Sequence, residues 1–135
     1  MTPEWTNPPR RVLRILVVDD SPGNRALVDT YLRPSPHELE FAENGLVAVE
    51  KFEVGDFDLV LMDIQMPVMD GHSAARAIRK LERSLGRPRT PIIAISASSS
   101  EDMGERSLEA GCDLQLTRPL SKSKLLEVLQ EHSHY

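Results

Sequence analysis

The chain is short of several things, and each shortage narrows what it can be. Cys112 is its single cysteine, so no internal disulfide can form and no cysteine-based metal knot is available, a pattern that fits a reducing, cytoplasmic setting. Aromatic residues are only 4% of the chain against 40% hydrophobic residues in total, so the interior must be aliphatic. No apolar run approaches the ~20 residues of a membrane span, and MTPEWTNPPRR at the start has no apolar signal core. An excess of basic residues is missing too. The net charge is −5, which argues against direct nucleic-acid binding, because phosphate contact usually needs a basic stripe. There is no Walker-type loop and no Gly-x-Gly-x-x-Gly. His37, His72, His132 and His134 are scattered without metal-ligand spacing.

What is present suits one domain with one core. Residues 1–11 carry Pro3, Pro8 and Pro9 and read as a leader or linker. The domain is expected over 12–131, and 132–135 as a solvated tail. Residues 15–18 (ILVV), 58–63 (DLVLMD) and 92–96 (IIAIS) are continuous apolar runs, the pattern of strands covered on both faces. Residues 38–42 (ELEFA) and 114–117 (LQLT) alternate and read as less buried strands. Between them lie helical spacings. Ser21 and Pro22 open a helix marked by Leu27, Val28, Tyr31 and Leu32. After an Asn44-Gly45 turn, Leu46, Val49 and Phe52 mark a second. Ala74, Ile78, Leu81 and Leu85 mark a third. Ser98 to Ser100 with Glu101 and Asp102 start a fourth, with Gly104 inside it and Gly111 at its end. Leu125, Val128 and Leu129 mark the last.

Five strands alternating with five helices imply an α/β fold with a parallel sheet covered on both faces. The doubly wound order 2-1-3-4-5 places the two alternating strands at the edges. Another order would bury Glu38 and Glu40, or Gln115. In such sheets, ligands bind beyond the carboxyl ends of the strands, where the strand order reverses. The residues ending the strands are Asp19-Asp20, Asp63, Ser96 and Thr117-Arg118, so three carboxylates, a hydroxyl and a cation should share one rim. Three adjacent carboxylates repel unless compensated, and a hard cation such as Mg²⁺ takes oxygen ligands. Asp20 and Asp63 are the expected direct ligands, with Asp19 direct or through water. A carboxylate can also attack phosphorus to form an acyl phosphate, a reaction that needs positioning and charge neutralisation, which Arg118 and Ser96 could supply. Taken singly, each of these residues also has a plain structural reading as cap, satisfied hydroxyl or surface charge. Their joint placement at strand ends is what those plain readings do not explain.

The motifs ILVVDDS (15–21), LMDIQMPVMDG (61–71), IIAISA (92–97) and TRP (117–119) closely resemble the receiver domain of two-component response regulators and hybrid histidine kinases. The resemblance covers about residues 12–131 and is most like receivers attached to hybrid kinases. It implies a flavodoxin-like fold and a phosphoprotein of a phosphorelay. It implies Asp63 as phosphoacceptor, Asp19 and Asp20 as the acidic Mg²⁺ pair, and the main-chain carbonyl of Gln65 as a third protein ligand. Ser96 aligns with the hydroxyl that turns toward the phosphoryl group. The side chains of Gln65 and Ser98 hold positions that tune dephosphorylation. The implied partners are a histidine kinase or histidine phosphotransfer protein, with an effector on the last strand and its flanking helices. Two positions depart from the family: Arg118 stands where Lys is usual, and Gln115 where an aromatic ring is usual. Arg118-Pro119 is a candidate cis bond.

Three functions compete on these residues. The first is a phosphorylation-controlled binding module, which is not an enzyme beyond its own phosphorylation and dephosphorylation. The second, raised by Arg118 and Gln115, is an interaction module of the same fold that no longer switches. The third is a hydrolase using Asp63 as nucleophile, disfavoured because Gln65 stands where a second acid would be needed to activate water.

Overall fold

In a computed structural model, described here for residues 12–98 and 100–133, the chain alternates strand and helix throughout. The elements are β1 (Arg14–Val18), α1 (Pro22–Leu32), β2 (Glu38–Ala42), α2 (Gly45–Val54), β3 (Leu59–Asp63), α3 (Gly71–Leu85), β4 (Ile92–Ser96), α4 (Glu101–Ala110), β5 (Leu114–Thr117) and α5 (Lys122–Ser133). The sheet runs β2-β1-β3-β4-β5 with every pair parallel, the order expected from the sequence.

The continuous apolar runs are explained by two cores. Alternate strand residues point to opposite faces. Leu16, Val18, Val60, Met62 and Ala94 face one side and pack with Ala48, Phe52, Ala74 and Ile78 of α2 and α3. Ile15, Val17, Leu59, Leu61, Ile93 and Ile95 face the other and pack with Val28 and Leu32 of α1 and Leu125 and Leu129 of α5. Because both faces are covered, neither parity can be polar. Cys112 is 2% exposed, and burial pushes its thiol pKa up to about 11, so it is a small core residue rather than a reactive one.

Helix starts are set by side-chain caps, each supplying an acceptor to a first-turn N–H. Ser21 accepts from Asn24 N (3.3 Å) with Pro22 in the first turn. Asn44 Oδ1 accepts from Val47 N (2.9 Å), so Asn44-Gly45, read as a turn, is the cap and first residue of α2. Asp70 accepts from Ser73 N (2.8 Å) and Ser100 from Met103 N (3.2 Å). Gly111 ends α4 at φ +108°, where a side chain would be strained.

Three sequence expectations need correction. The α3 stripe does not continue apolar to Leu85, which is 49% exposed. Its place is taken by a buried ion network. Arg79 Nη1 donates to Glu82 Oε1 (2.9 Å) and Thr90 O (2.7 Å), Nε to Gly111 O (2.9 Å), and Nη2 to Asp113 Oδ2 (2.8 Å). Glu82 in turn accepts from Thr90 N and Asp113 from Ile92 N, so one guanidinium ties α3 to the approaches of β4 and β5. Leu27 and Leu46 likewise lie on the outer sides of their helices. α5 runs through Ser133, and His132, read as solvated tail, is half-buried in its last turn with Nδ1 2.8 Å from Val128 O. The residues read as a leader, 1–11, and the rest of the tail, 134–135, lie outside the described residues.

Candidate functional site

The chain passes from β1 to β2 on one side and then crosses from β2 to β3 on the other side of β1, so the carboxyl ends of β1 and β3 border the point where strand order reverses. Asp19 and Asp20 follow β1, and Asp63 is the last residue of β3. One carboxylate oxygen from each of the three lies within 4.8 Å of the others. Asp19 and Asp63 are buried, while Asp20 is exposed.

Each acid is held by its surroundings. Asp19 N donates to Ala42 O (3.0 Å), which fixes the strand exit. Its Oδ1 accepts from Ser21 N (2.9 Å), and its Oδ2 forms a short contact with Arg118 Nη2. Asp63 Oδ1 accepts from Gln65 N (3.2 Å) and lies 3.7 Å from the same Arg118 nitrogen. Burial pushes the Asp63 carboxyl up from 3.8 to about 6, and the negative charge of Asp19 adds to the rise. The Gln65 N–H and Arg118 oppose it, and Asp20 adds slightly. A carboxyl whose pKa is raised in this way beside two acids marks a site short of positive charge.

Ser96 ends β4, 1% exposed. Its Oγ accepts from Ser98 N (3.1 Å), and its carbonyl accepts from Arg118 N (2.8 Å). That second bond carries the β5 exit across to β4 and so aims Arg118 at the acids. The Arg118-Pro119 peptide is cis. The structure therefore brings Asp19, Asp20, Asp63 and Arg118 together, and links Ser96 to them through the Arg118 main chain.

Two contributors escaped the sequence reading. Arg25 Nη1 donates to the Asp19 carbonyl (2.7 Å); its position one turn after Ser21 was the available signal. Gly71 is required by space. A Cβ there would sit 2.2 Å from Asp63 O and 2.8 Å from Ile64 Cα, while Gly71 N donates to Ile64 O (2.9 Å). The glycine lets the start of α3 close against the end of β3.

The donors are all oxygen, two of them buried, and the cluster is under-neutralised. That chemistry fits a hard divalent cation and not a soft one.

Residues 15–130 match the response regulator receiver domain. The chain belongs to that family. Receiver domains are signalling domains. The sensor protein GacS of Pseudomonas syringae pv. syringae is 40% identical over 119 residues, 88% of this chain and 13% of that protein. The chain thus spans a small part of that relative's length. Among solved structures, the receiver domain of the sensor histidine kinase PA1611 from Pseudomonas aeruginosa is 34% identical with a TM-score of 0.79, over 90% of this chain and 97% of that one. That receiver has a magnesium ion coordinated in its active-site cleft. The receiver domain of the response regulator Ssk1 of Saccharomyces cerevisiae, solved with the histidine phosphotransfer protein Ypd1, is 30% identical with a TM-score of 0.87, over 90% of this chain and 89% of that one. No helix among the described residues is long and apolar enough to cross a membrane.

Proposed function

We propose that this receiver domain accepts a phosphoryl group on Asp63 from a histidine kinase or a histidine phosphotransfer protein, and changes its interaction surface in response. The observation that carries the reading is the triad of carboxylates at the reversal point of the sheet, within 4.8 Å of one another and faced by Arg118. Asp19, Asp20, Asp63 and the main-chain carbonyl of Gln65 would hold Mg²⁺. When bound, Mg²⁺ supplies the positive charge that lets a phosphoryl group approach three acids.

The residues of the chain do the rest. An Asp63 oxygen forms a bond to phosphorus while the bond from phosphorus to the donor's imidazole nitrogen breaks, the nitrogen keeping the electron pair. The product is an acyl phosphate and a neutral histidine after it gains a proton. Asp63 must be ionised to attack, so the rise of its pKa to about 6 leaves it competent at neutral pH and holds it protonated in acid. Arg118 supplies charge to the new oxygens, and Ser96 supplies a hydroxyl. Gln65 and Ser98 flank the site and would set the lifetime of the acyl phosphate. The output surface would be β5 with α4 and α5, working in the cytoplasm.

The test is phosphate-affinity electrophoresis after incubation with acetyl phosphate and Mg²⁺. A slower band is expected for the native chain and none for Asp63→Ala; a shift that survives Asp63→Ala overturns the assignment. A second reading has a specific observation in its favour: Arg118 already pairs with Asp19, as in a module that keeps the fold without switching. Beryllofluoride titration followed by NMR separates the two. Shifts at Ser96 and β5 support the first, and their absence supports the second.

A further inference from the structure

A line of polar side chains runs behind the site, and the pairing of carboxylates does not explain it. His72, in the first turn of α3, has Nε2 3.0 Å from Ser107 Oγ on α4. Ser107 Oγ lies 2.7 Å from Gln115 Oε1 on β5. Gln115 Nε2 lies 3.2 Å from the main-chain carbonyl of Ser98, in the β4–α4 loop. Ser98 N donates to Ser96 Oγ (3.1 Å), and Ser98 Oγ accepts from Ser100 N (3.3 Å). The chain of contacts therefore joins the start of α3, next to Gly71 and the Asp63 main chain, to the loop whose Ser98 N–H bonds the Ser96 hydroxyl.

Its direction is fixed by chemistry. The Ser98 carbonyl can only accept, so Gln115 must turn its amide nitrogen to it and its oxygen to Ser107. Ser107 has one hydroxyl proton and must give it to Gln115. Its own lone pair then needs a donor, which is the Nε2–H of His72. Ser107 is 1% exposed, so breaking either of its bonds leaves the buried hydroxyl with one partner where it has two. Every member has one role, and the loss of one is felt by the next.

We propose that Gln115, Ser107 and His72 form a positioning relay that holds the β4–α4 loop, and with it the Ser96 hydroxyl, in the conformation in which that hydroxyl accepts from Ser98 N. Gln115 is its pivot, because it alone contacts both the loop and α4. The effect on phosphorylation rests on the reading of Asp63 as acceptor; the holding of the loop does not.

The experiment compares amide hydrogen exchange in the unphosphorylated chain and its variants. Gln115→Met keeps the length and removes both hydrogen bonds. It should speed exchange at Ser98 and Ser100 about fivefold or more, as expected for one lost neutral hydrogen bond, while the amides of β1 and β3 keep their protection. Gln115→Glu keeps an acceptor for Ser107 but opposes the Ser98 carbonyl, and should loosen the loop without loosening α4. Ser107→Ala should loosen the same loop amides through its neighbour, and its effect should not add to that of Gln115→Met. Unchanged exchange at Ser98 and Ser100 in Gln115→Met, with β1 and β3 protected, overturns the relay, as does simple additivity in the double variant. If strand protection is lost instead, Ser107→Ala alone decides on the same amides. A beryllofluoride titration then reads the consequence: freeing the loop should raise apparent affinity several-fold. If the native chain does not respond to beryllofluoride, the Asp63 reading fails and the exchange result still decides the relay.

Discussion

Asp63 should make the stability of the protein depend on pH in a way that its amide analogue does not. Its carboxyl has a pKa of 3.8 in an ordinary setting and about 6 here, raised first by burial and then by Asp19. The difference corresponds to about 3 kcal/mol in favour of the protonated form. Below pH 3.8 both the folded and the unfolded chain hold the proton, and the benefit is fully present. As pH rises the unfolded chain releases its proton first, and the benefit is lost progressively up to about pH 6. Above that, the folded state carries a carboxylate where its surroundings oppose one. Asp63→Asn removes the charge and keeps an acceptor for Gln65 N. Urea denaturation should therefore find Asp63→Asn more stable than the native chain by up to about 3 kcal/mol at pH 7.5. The two should converge as pH falls toward 4. Because the comparison is a difference, the titration of other acids largely cancels. Mg²⁺ at 100 times its dissociation constant should return about 2.7 kcal/mol to the native chain at pH 7.5, and far less to the Asn variant. A stability difference that stays constant from pH 4.5 to 7.5, or a less stable Asn variant at pH 7.5, would refute the reasoning.

Arg79→Ala should cost about 3–5 kcal/mol in urea denaturation, because it leaves the buried Glu82 carboxylate without its cation and the Thr90 carbonyl without the Arg79 N–H, while Gly111 O keeps only its bond from Arg89. Gly71→Ala should cost about 1–3 kcal/mol and slow acetyl phosphate labelling of Asp63, since its Cβ would meet the Asp63 main chain. Arg118→Ala should raise Mg²⁺ affinity by about fivefold in isothermal titration calorimetry, the equivalent of a partly exposed ion pair of ~1 kcal/mol; an unchanged or weaker affinity would count against competition at Asp19.

The sheet was legible because its determinants are local and repeated. A strand covered on both faces must be apolar at every position, and residues 15–18, 59–62 and 92–95 announce this without any partner in view. The acidic rim was legible for a related reason: a parallel sheet places all strand ends on one side, so residues distant in sequence could be assigned to one place. What the sequence hid depends on pairing across distance. Arg79 and Glu82 look like solvated charges until Asp113 and Gly111 are brought to them. His72 looked like one of four scattered histidines, and Ser107 like any helical serine. Their roles arise only where α3, α4 and β5 meet. Asn44 shows a smaller ambiguity, since Asn-Gly serves a turn or a helix cap equally well in sequence and only the Val47 N–H distinguishes them.

The same distinction explains why Arg118 matters more than its charge. A lysine at this position would be a point charge free to follow the most negative atom nearby. A guanidinium is planar and directional, and here one nitrogen serves Asp19 at close range and Asp63 at 3.7 Å. An acyl phosphate on Asp63 would add roughly one to two negative charges beside that nitrogen. Turning Nη2 to them would loosen its hold on Asp19, whose other oxygen is kept in place by Ser21 N. Asp19 would then need a replacement cation, which Mg²⁺ provides. Phosphate and metal should for this reason bind with positive coupling in this protein, and Arg118→Ala should weaken that coupling. The quantity to measure is the ratio of beryllofluoride affinities with and without Mg²⁺. The reasoning requires a larger ratio for the native chain than for Arg118→Ala, and an equal ratio would defeat it.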